Sequence, residues 1–132
     1  MSDDNAGAYR LVLRLDRSVW VTPGRLGERR VRRGSYLYLG SARRGLAQRV
    51  ARHRRLAEEK RGRLHWHIDY LLTRPEVRLI RVDLVPGGDE CALARGVAAA
   101  EGSEPVRGFG ATDCRVGCPA HLYRVARIPP KP

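Results

Sequence analysis

Lysine is nearly missing from this chain. Only Lys60 and Lys131 carry it, although Lys and Arg together number 26. The positive charge is therefore arginine, whose planar fork pairs with phosphate and stacks on bases. A genome biased toward arginine codons would exchange Lys for Arg. It would not create the net charge of +12 that remains after 14 acidic residues are counted. That excess favours a polyanionic partner, because arginines displace counterions from phosphates. Cysteine is scarce and odd in number, at three (Cys91, Cys114 and Cys118), which argues against a disulfide framework. No apolar run approaches the roughly 20 residues of a membrane span. The start, MSDDNAGAYR, is acidic where a secretion signal is basic. These absences point to a cytoplasmic protein with no membrane partner. An apolar content of 42% over 132 residues supports one domain with one core and argues against disorder.

The pattern along the chain is α+β. Residues 1–6 are polar and read as a disordered N-terminus. GAYRLVLRLD (7–16) alternates, with Tyr9, Leu11, Leu13 and Leu15 on one face, and reads as a strand with one buried face. SVWVT (18–22) is a second short strand, PGRLG (23–27) a turn, and ERRVRRG (28–34) a hairpin return. SYLYLG (35–40) is a strand that stops at Gly40, where the chain can turn in a way other residues avoid. Residues 43–60 fit a helix with Leu46, Val50 and Ala57 on one stripe. LHWHIDYLLT (64–73) is a short helix, VRLIRVDLV (77–85) a strand, and Asp89 a cap for a helix to about Glu101. A loop fills 102–121, HLYRVARI (121–128) forms a last strand, and 129–132 is a tail. Hairpin-linked strands followed by helices predict a small mixed or antiparallel β-sheet flanked by helices, in one domain over 7–128.

Tyr38 lies two residues before Gly40, hence at a strand end. Arg49 and His53 are four apart, hence on one helical face. Tyr9 opens a strand that can lie beside that of Tyr38. Two phenols, a guanidinium and an imidazole converging at a helix start suit a phosphodiester. The arginine would hold a nonbridging oxygen, and a tyrosine would position or deprotonate water. A phenol with a pKa near 10 is a weak base at neutral pH unless neighbouring cations lower it.

At these residues the chain resembles the GIY-YIG nuclease superfamily. Gly7-Ala8-Tyr9 stands for its first motif, Tyr38-Leu39-Gly40 for its second, and LAQRVARH for its arginine-bearing helix. With LHWHIDYLL, DECALA and GFGATDC…HL, it is similar to the DUF123 branch of that superfamily from roughly Gly7 to Tyr123. The resemblance implies a mixed sheet with flanking helices and a metal-dependent DNA endonuclease. In it Tyr9 helps activate water, Tyr38 assists, Arg49 binds phosphate, and a helix glutamate holds a divalent metal, Mg²⁺ or Mn²⁺. Branch members fused to an endonuclease III-type glycosylase imply repair of damaged or branched DNA and association with a repair glycosylase. The chain departs from the pattern twice. SVWVTPGRLGERRVRR lengthens the segment between the two motifs and reads as a basic hairpin. The usual glutamate position falls near Arg95, leaving Glu90 as the metal candidate. Were Glu90 out of reach, metal-free cleavage at abasic sites or a non-catalytic DNA- or RNA-binding module would gain ground. An RNA-processing enzyme is a further alternative.

Arg29, Arg30, Arg32 and Arg33, then Arg43, Arg44 and Arg52, are candidate phosphate contacts. His65 and His67 are two apart and face different sides of a helix, so with Asp69 they make an incomplete metal set. A DNA-contacting or helix-stabilising role fits them better, with Asp69 bonding an arginine or orienting a histidine. Cys114, Cys118 and His121 form C-x3-C-x2-H, with Cys91 as an outlying fourth donor. Zinc needs closed tetrahedral coordination. Lacking a second paired half, this spacing does not favour zinc, and buried cysteines with a loop histidine are expected.

Overall fold

The computed structural model describes residues 5–131. Its strands are β1 (Gly7–Leu15), β2 (Val19–Val21), β3 (Arg29–Val31), β4 (Gly34–Ala42), β5 (Val77–Pro86), β6 (Glu104–Pro105) and β7 (Leu122–Val125). Its helices are α1 (Leu46–Glu59), α2 (His67–Leu72) and α3 (Glu90–Ala99). Five strands form one sheet in the order β5-β1-β4-β7-β6, and every pairing is antiparallel. β2 and β3 form a separate hairpin that pairs Val19 with Val31 and Trp20 with Arg30. The fold is α+β, as the alternation of patterns predicts. Among the described residues, no helix is long and apolar enough to cross a membrane.

The sheet is covered on both faces, which corrects the expectation of a first strand with one buried face. Tyr9, Leu11, Leu13 and Leu15 pack with Leu46, Val50 and Leu56 of α1 and with Ile68, Leu71 and Leu72 of α2. On the other face Val12, Leu37, Leu39 and Tyr123 pack with Ala94 and Val97 of α3. α3 covers this second face, so Val12 of β1 is fully buried. Arg10 on that face is neutralised by Asp83, at 2.7 Å.

Asn5 and residues 129–130, at the two edges of the described residues, are hydrogen-bonded to the domain. Residues 1–4 and 132 lie outside the described residues. Asn5, however, caps α1 from a distance: its carbonyl accepts from Leu46 N–H (3.1 Å) and its side-chain oxygen from Ala47 N–H (3.0 Å). These are first-turn donors that the helix cannot satisfy itself. α1 begins at Leu46 rather than 43, because Gly45 takes the left-handed conformation (φ 72°) just before it. At the other end, the carbonyls of Pro129 and Pro130 accept from Arg81 and Arg10, both already bonded to Asp83.

Lys60 shows why one lysine persists among arginines. It ends α1 in the left-handed conformation (φ 59°), and its ammonium donates to the carbonyls of Leu72 (3.1 Å), Arg74 (2.9 Å) and Val77 (2.6 Å). Three rotatable donors on a compact head suit three converging carbonyls, whereas a flat guanidinium does not. Lys60→Arg should therefore cost about 1–3 kcal/mol in urea unfolding. The exposed exchange Arg54→Lys should stay within about 0.5 kcal/mol, and equal effects of the two would contradict this account.

Candidate functional site

The register of β1 on β4 places Tyr9 opposite Gly40. Gly40 is not a turn: β4 runs through it to Ala42, and its φ is not positive. It is glycine because the Tyr9 ring lies across it. A Cβ at position 40 would collide with Cζ and the hydroxyl oxygen of Tyr9. The turn expected at Gly40 is made instead at Gly45.

The Tyr9 hydroxyl meets Nε2 of His53 at 2.7 Å, with both groups buried. His53 projects from α1, and among the described residues its other ring nitrogen has no hydrogen-bond partner. One turn earlier on α1, Arg49 donates to the carbonyl of Ser41 at 2.6 Å. Its guanidinium lies 4.6 Å from the ring centre of Trp66, and that of Arg52 lies 4.9 Å from the same ring. Ser41 is the joint of the site. Gly40 faces Tyr9, so alternation turns the Ser41 side chain the other way. There its hydroxyl donates to Glu90 Oε1 at 3.4 Å. Glu90 opens α3, on the opposite face of the sheet from α1. The end of β4 thus gathers Tyr9, Arg49 and His53 on one side and Glu90 on the other. Tyr38 stands on the Tyr9 face, edge-on to Phe109. Nothing in the sequence pattern singled out Trp66 or His121 for this region; both are placed by segments distant in the chain.

Burial sets the protonation states. It pushes the Tyr9 phenol far up, with the adjacent Arg49 guanidinium pulling the other way and Glu90 reinforcing the rise. Tyr38 is raised by burial, then by Tyr9 and Glu90. A phenol acting as a base at neutral pH needs neighbouring cations to lower its pKa. One cation is present, and burial outweighs it. Burial also lowers His53 to about 4, against a smaller upward pull from Asp69. Tyr9 and His53 are therefore a neutral pair. Glu90 is raised, chiefly by burial, while His121, Ser41 and Arg49 oppose.

Other candidates are deployed differently. Arg52 is consumed by a two-pronged bond to Asp69, at 2.9 Å on each oxygen, and by the Arg63 carbonyl. Asp69 also accepts from the N–H groups of His65 and Trp66, so it stabilises the start of α2. That bears out the reading of Asp69 as an arginine partner. His67 is half-buried, and its Nδ1 accepts from Gly110 N–H at 2.8 Å. His65 is exposed, packed edge-on to Trp66. Arg29 bonds the carbonyls of Glu28 and Arg107, and Arg32 pairs with Glu104. Arg30, Arg33, Arg43 and Arg44 are exposed. Two hollows, one between α1 and β5 and one of about 910 Å³ between α3 and residues 125–130, are not lined by Tyr9, Arg49 or Glu90.

Cys91, Cys114, Cys118 and His121 converge so that one donor atom from each lies within 4.8 Å of the others. The separations are 3.5 Å between the Cys91 and Cys114 sulfurs and 3.8 Å from Cys91 sulfur to His121 Nε2. Here the sequence reading is corrected. α3 brings Cys91, the outlying donor, to the other three, and these residues could hold a metal ion.

The chain belongs to the DUF123 family, a domain of unknown function, whose family model matches residues 8–131. No curated protein and no solved structure matches it.

Gly40→Ala should destabilise the protein by about 1–3 kcal/mol by overpacking. The cost should largely vanish in a Tyr9→Leu background, as a double-mutant cycle in denaturant would measure. His53 gives a second expectation. It is neutral when folded down to about pH 4, whereas the unfolded residue takes up a proton near 6.5. The unfolded chain therefore binds more protons in this window, and its contribution to stability, intact above pH 6.5, falls as pH drops toward 4. The gap corresponds to about 3 kcal/mol. Urea unfolding at pH 7 and pH 4.5 should show the loss for wild type and a smaller one for His53→Gln.

Proposed function

We propose that this protein is a DNA endonuclease acting on damaged or branched DNA in repair, with Tyr9, His53, Arg49 and Glu90 around one scissile phosphate. The observation that carries the reading is the buried Tyr9–His53 hydrogen bond with the Arg49 guanidinium beside it. The resemblance of Gly7-Ala8-Tyr9, Tyr38-Leu39-Gly40 and the α1 arginine to GIY-YIG nucleases supports it. So do the net charge of +12 and the exposed Arg30, Arg33, Arg43 and Arg44. Trp20, 59% exposed opposite Arg30 on the hairpin, adds a surface suited to stacking on bases.

The steps follow from the side chains. Arg49 binds a nonbridging oxygen and stabilises the charge that develops there. The attacking water forms its bond to phosphorus as the bond to the departing sugar oxygen breaks. The water's proton passes to the Tyr9 oxygen while the Tyr9 proton passes to His53 Nε2, so no free phenolate is required. Tyr38 lends rigidity to the Tyr9 side of the site. A single carboxylate fits Mg²⁺ or Mn²⁺, which take remaining ligands from water and phosphate. Glu90 would hold that ion, which supplies charge neutralisation at the departing oxygen when bound.

The test is cleavage of labelled plain, branched and abasic duplexes with Mg²⁺ or Mn²⁺ added or omitted. Tyr9→Phe keeps the ring over Gly40 and loses only the hydroxyl. It and Arg49→Ala should each lower the rate about 10²–10³-fold, and Glu90→Gln should abolish the Mg²⁺ dependence. Activity should persist well below pH 6.5 and fall as His53 protonates near pH 4. If all substrates stay uncut while salt-sensitive DNA binding survives Tyr9→Phe, the protein is a non-catalytic nucleic-acid-binding module. Competition with RNA decides between nucleic acids.

A further inference from the structure

We infer that Cys91, Cys114, Cys118 and His121 form a closed tetrahedral site for a structural zinc ion, separate from the Mg²⁺ position at Glu90. Zinc holds thiolate sulfur at about 2.3 Å and imidazole nitrogen at about 2.0–2.1 Å. A tetrahedron of those bond lengths sets neighbouring donors roughly 3.5–3.8 Å apart. The sulfurs of Cys91 and Cys114 are 3.5 Å apart, and Cys91 sulfur lies 3.8 Å from His121 Nε2. All four donors fall within 4.8 Å of one another, so small side-chain rotations complete the figure.

The histidine is already prepared. His121 Nδ1 lies 2.9 Å from the Gly110 carbonyl, and a carbonyl only accepts. The proton therefore sits on Nδ1, and the Nε2 lone pair is left facing Cys91. Glu90 Oε2 lies 3.6 Å from the same Nδ1. A carbonyl and a carboxylate behind the ring are the outer partners that orient zinc-bound histidines. A disulfide between Cys91 and Cys114 would use two donors and leave Cys118 and this lone pair without purpose.

The site also has a mechanical reason to exist. Cys91 is on α3, and Cys114 and Cys118 belong to a loop with almost no regular structure. His121 precedes β7. An ion joining them fixes that loop to α3. Gly110, clamped by His67 on its N–H and His121 on its carbonyl, shares the tether. The loop covers Tyr38 through Phe109 and Gly110.

The full chain, purified from zinc-supplemented medium, should contain one zinc per molecule by elemental analysis. Replacing the ion with Co²⁺ should give the intense thiolate charge-transfer and visible bands of a tetrahedral sulfur-rich site. Chelation should expose three thiols to alkylation and lower Tm by on the order of 10 °C, because such binding energy is folding energy. Added Zn²⁺, but not Mg²⁺, should reverse both. Cys118→Ser should lose the zinc, and Glu90→Gln should keep it. Folded protein that is metal-free from zinc-replete cells, with three freely reacting thiols or a Cys91–Cys114 disulfide, overturns the site. So does wild-type protein that binds Co²⁺ without thiolate bands, which also decides the case should Cys118→Ser fail to fold. Zinc content is read without DNA, so this result stands or falls apart from the cleavage assay.

Discussion

The pairing of Tyr9 with Gly40 across β1 and β4 is the constraint on which the rest of the site depends. An aromatic ring cannot lie flat across a strand that carries a Cβ at that point. With glycine opposite, Tyr9 turns its hydroxyl toward α1 rather than into the apolar core, and His53 receives it. The same register sets Tyr38 against Leu11 on the same face. It also leaves Ser41 at the strand end, pointing to the opposite face. From there one residue serves both halves: its carbonyl holds Arg49 and its hydroxyl reaches Glu90. A slip of one residue would reverse every side chain of β4 and separate these groups.

Burial, not charge, controls the chemistry available here. A protein with a net charge of +12 would be expected to favour phenolate and resist imidazolium. The second holds and the first does not. Desolvation is the leading influence on Tyr9, Tyr38 and His53 alike, and it drives each toward its neutral form. Tyr9 and His53 therefore stand as a neutral hydrogen-bonded pair. The arginines divide between two tasks. Arg10, Arg52 and Arg81 satisfy buried carboxylates, Arg49 bridges Ser41 and Trp66, and others remain exposed. Counting arginines in the sequence overstates the charge free to meet a phosphate, because Arg52 and Arg32 already have carboxylate partners.

The two metal questions meet at α3. Glu90 and Cys91 are neighbours in sequence, yet they serve different groups. Glu90 turns toward the end of β4, and Cys91 toward the 114–121 segment. His121 lies between them, with one nitrogen near each. The order of the loop, the orientation of α3 and the position of the candidate metal carboxylate are therefore mechanically linked.

Much of the fold was legible from local patterns. Alternation located β1, β4 and β5, the apolar stripe of Leu46, Val50 and Ala57 located α1, and Asp89 was readable as the α3 cap, where its side chain accepts from Cys91 N–H. The convergence of Tyr9, Arg49 and His53 was also legible, because strand and helix periods decide which side chains share a face. Three things were not. Gly40 looked like a turn because glycine's local meaning is freedom of backbone, whereas here its role is the space it leaves for a ring 31 positions away, 40 − 9. The bond from Gly110 N–H to His67 was not visible because Gly110 belongs to a distant loop. The cysteine–histidine set looked too loosely spaced for a metal because Cys91, its outlying donor, reaches the others only through the packing of α3. By itself, the sequence determined most of the elements, which side chains share a face and the chemical types available, since those depend on neighbours two to four residues away. Only the tertiary structure decided which groups are buried, which arginines are spent, and which donors meet, since those depend on contacts between residues far apart in the chain.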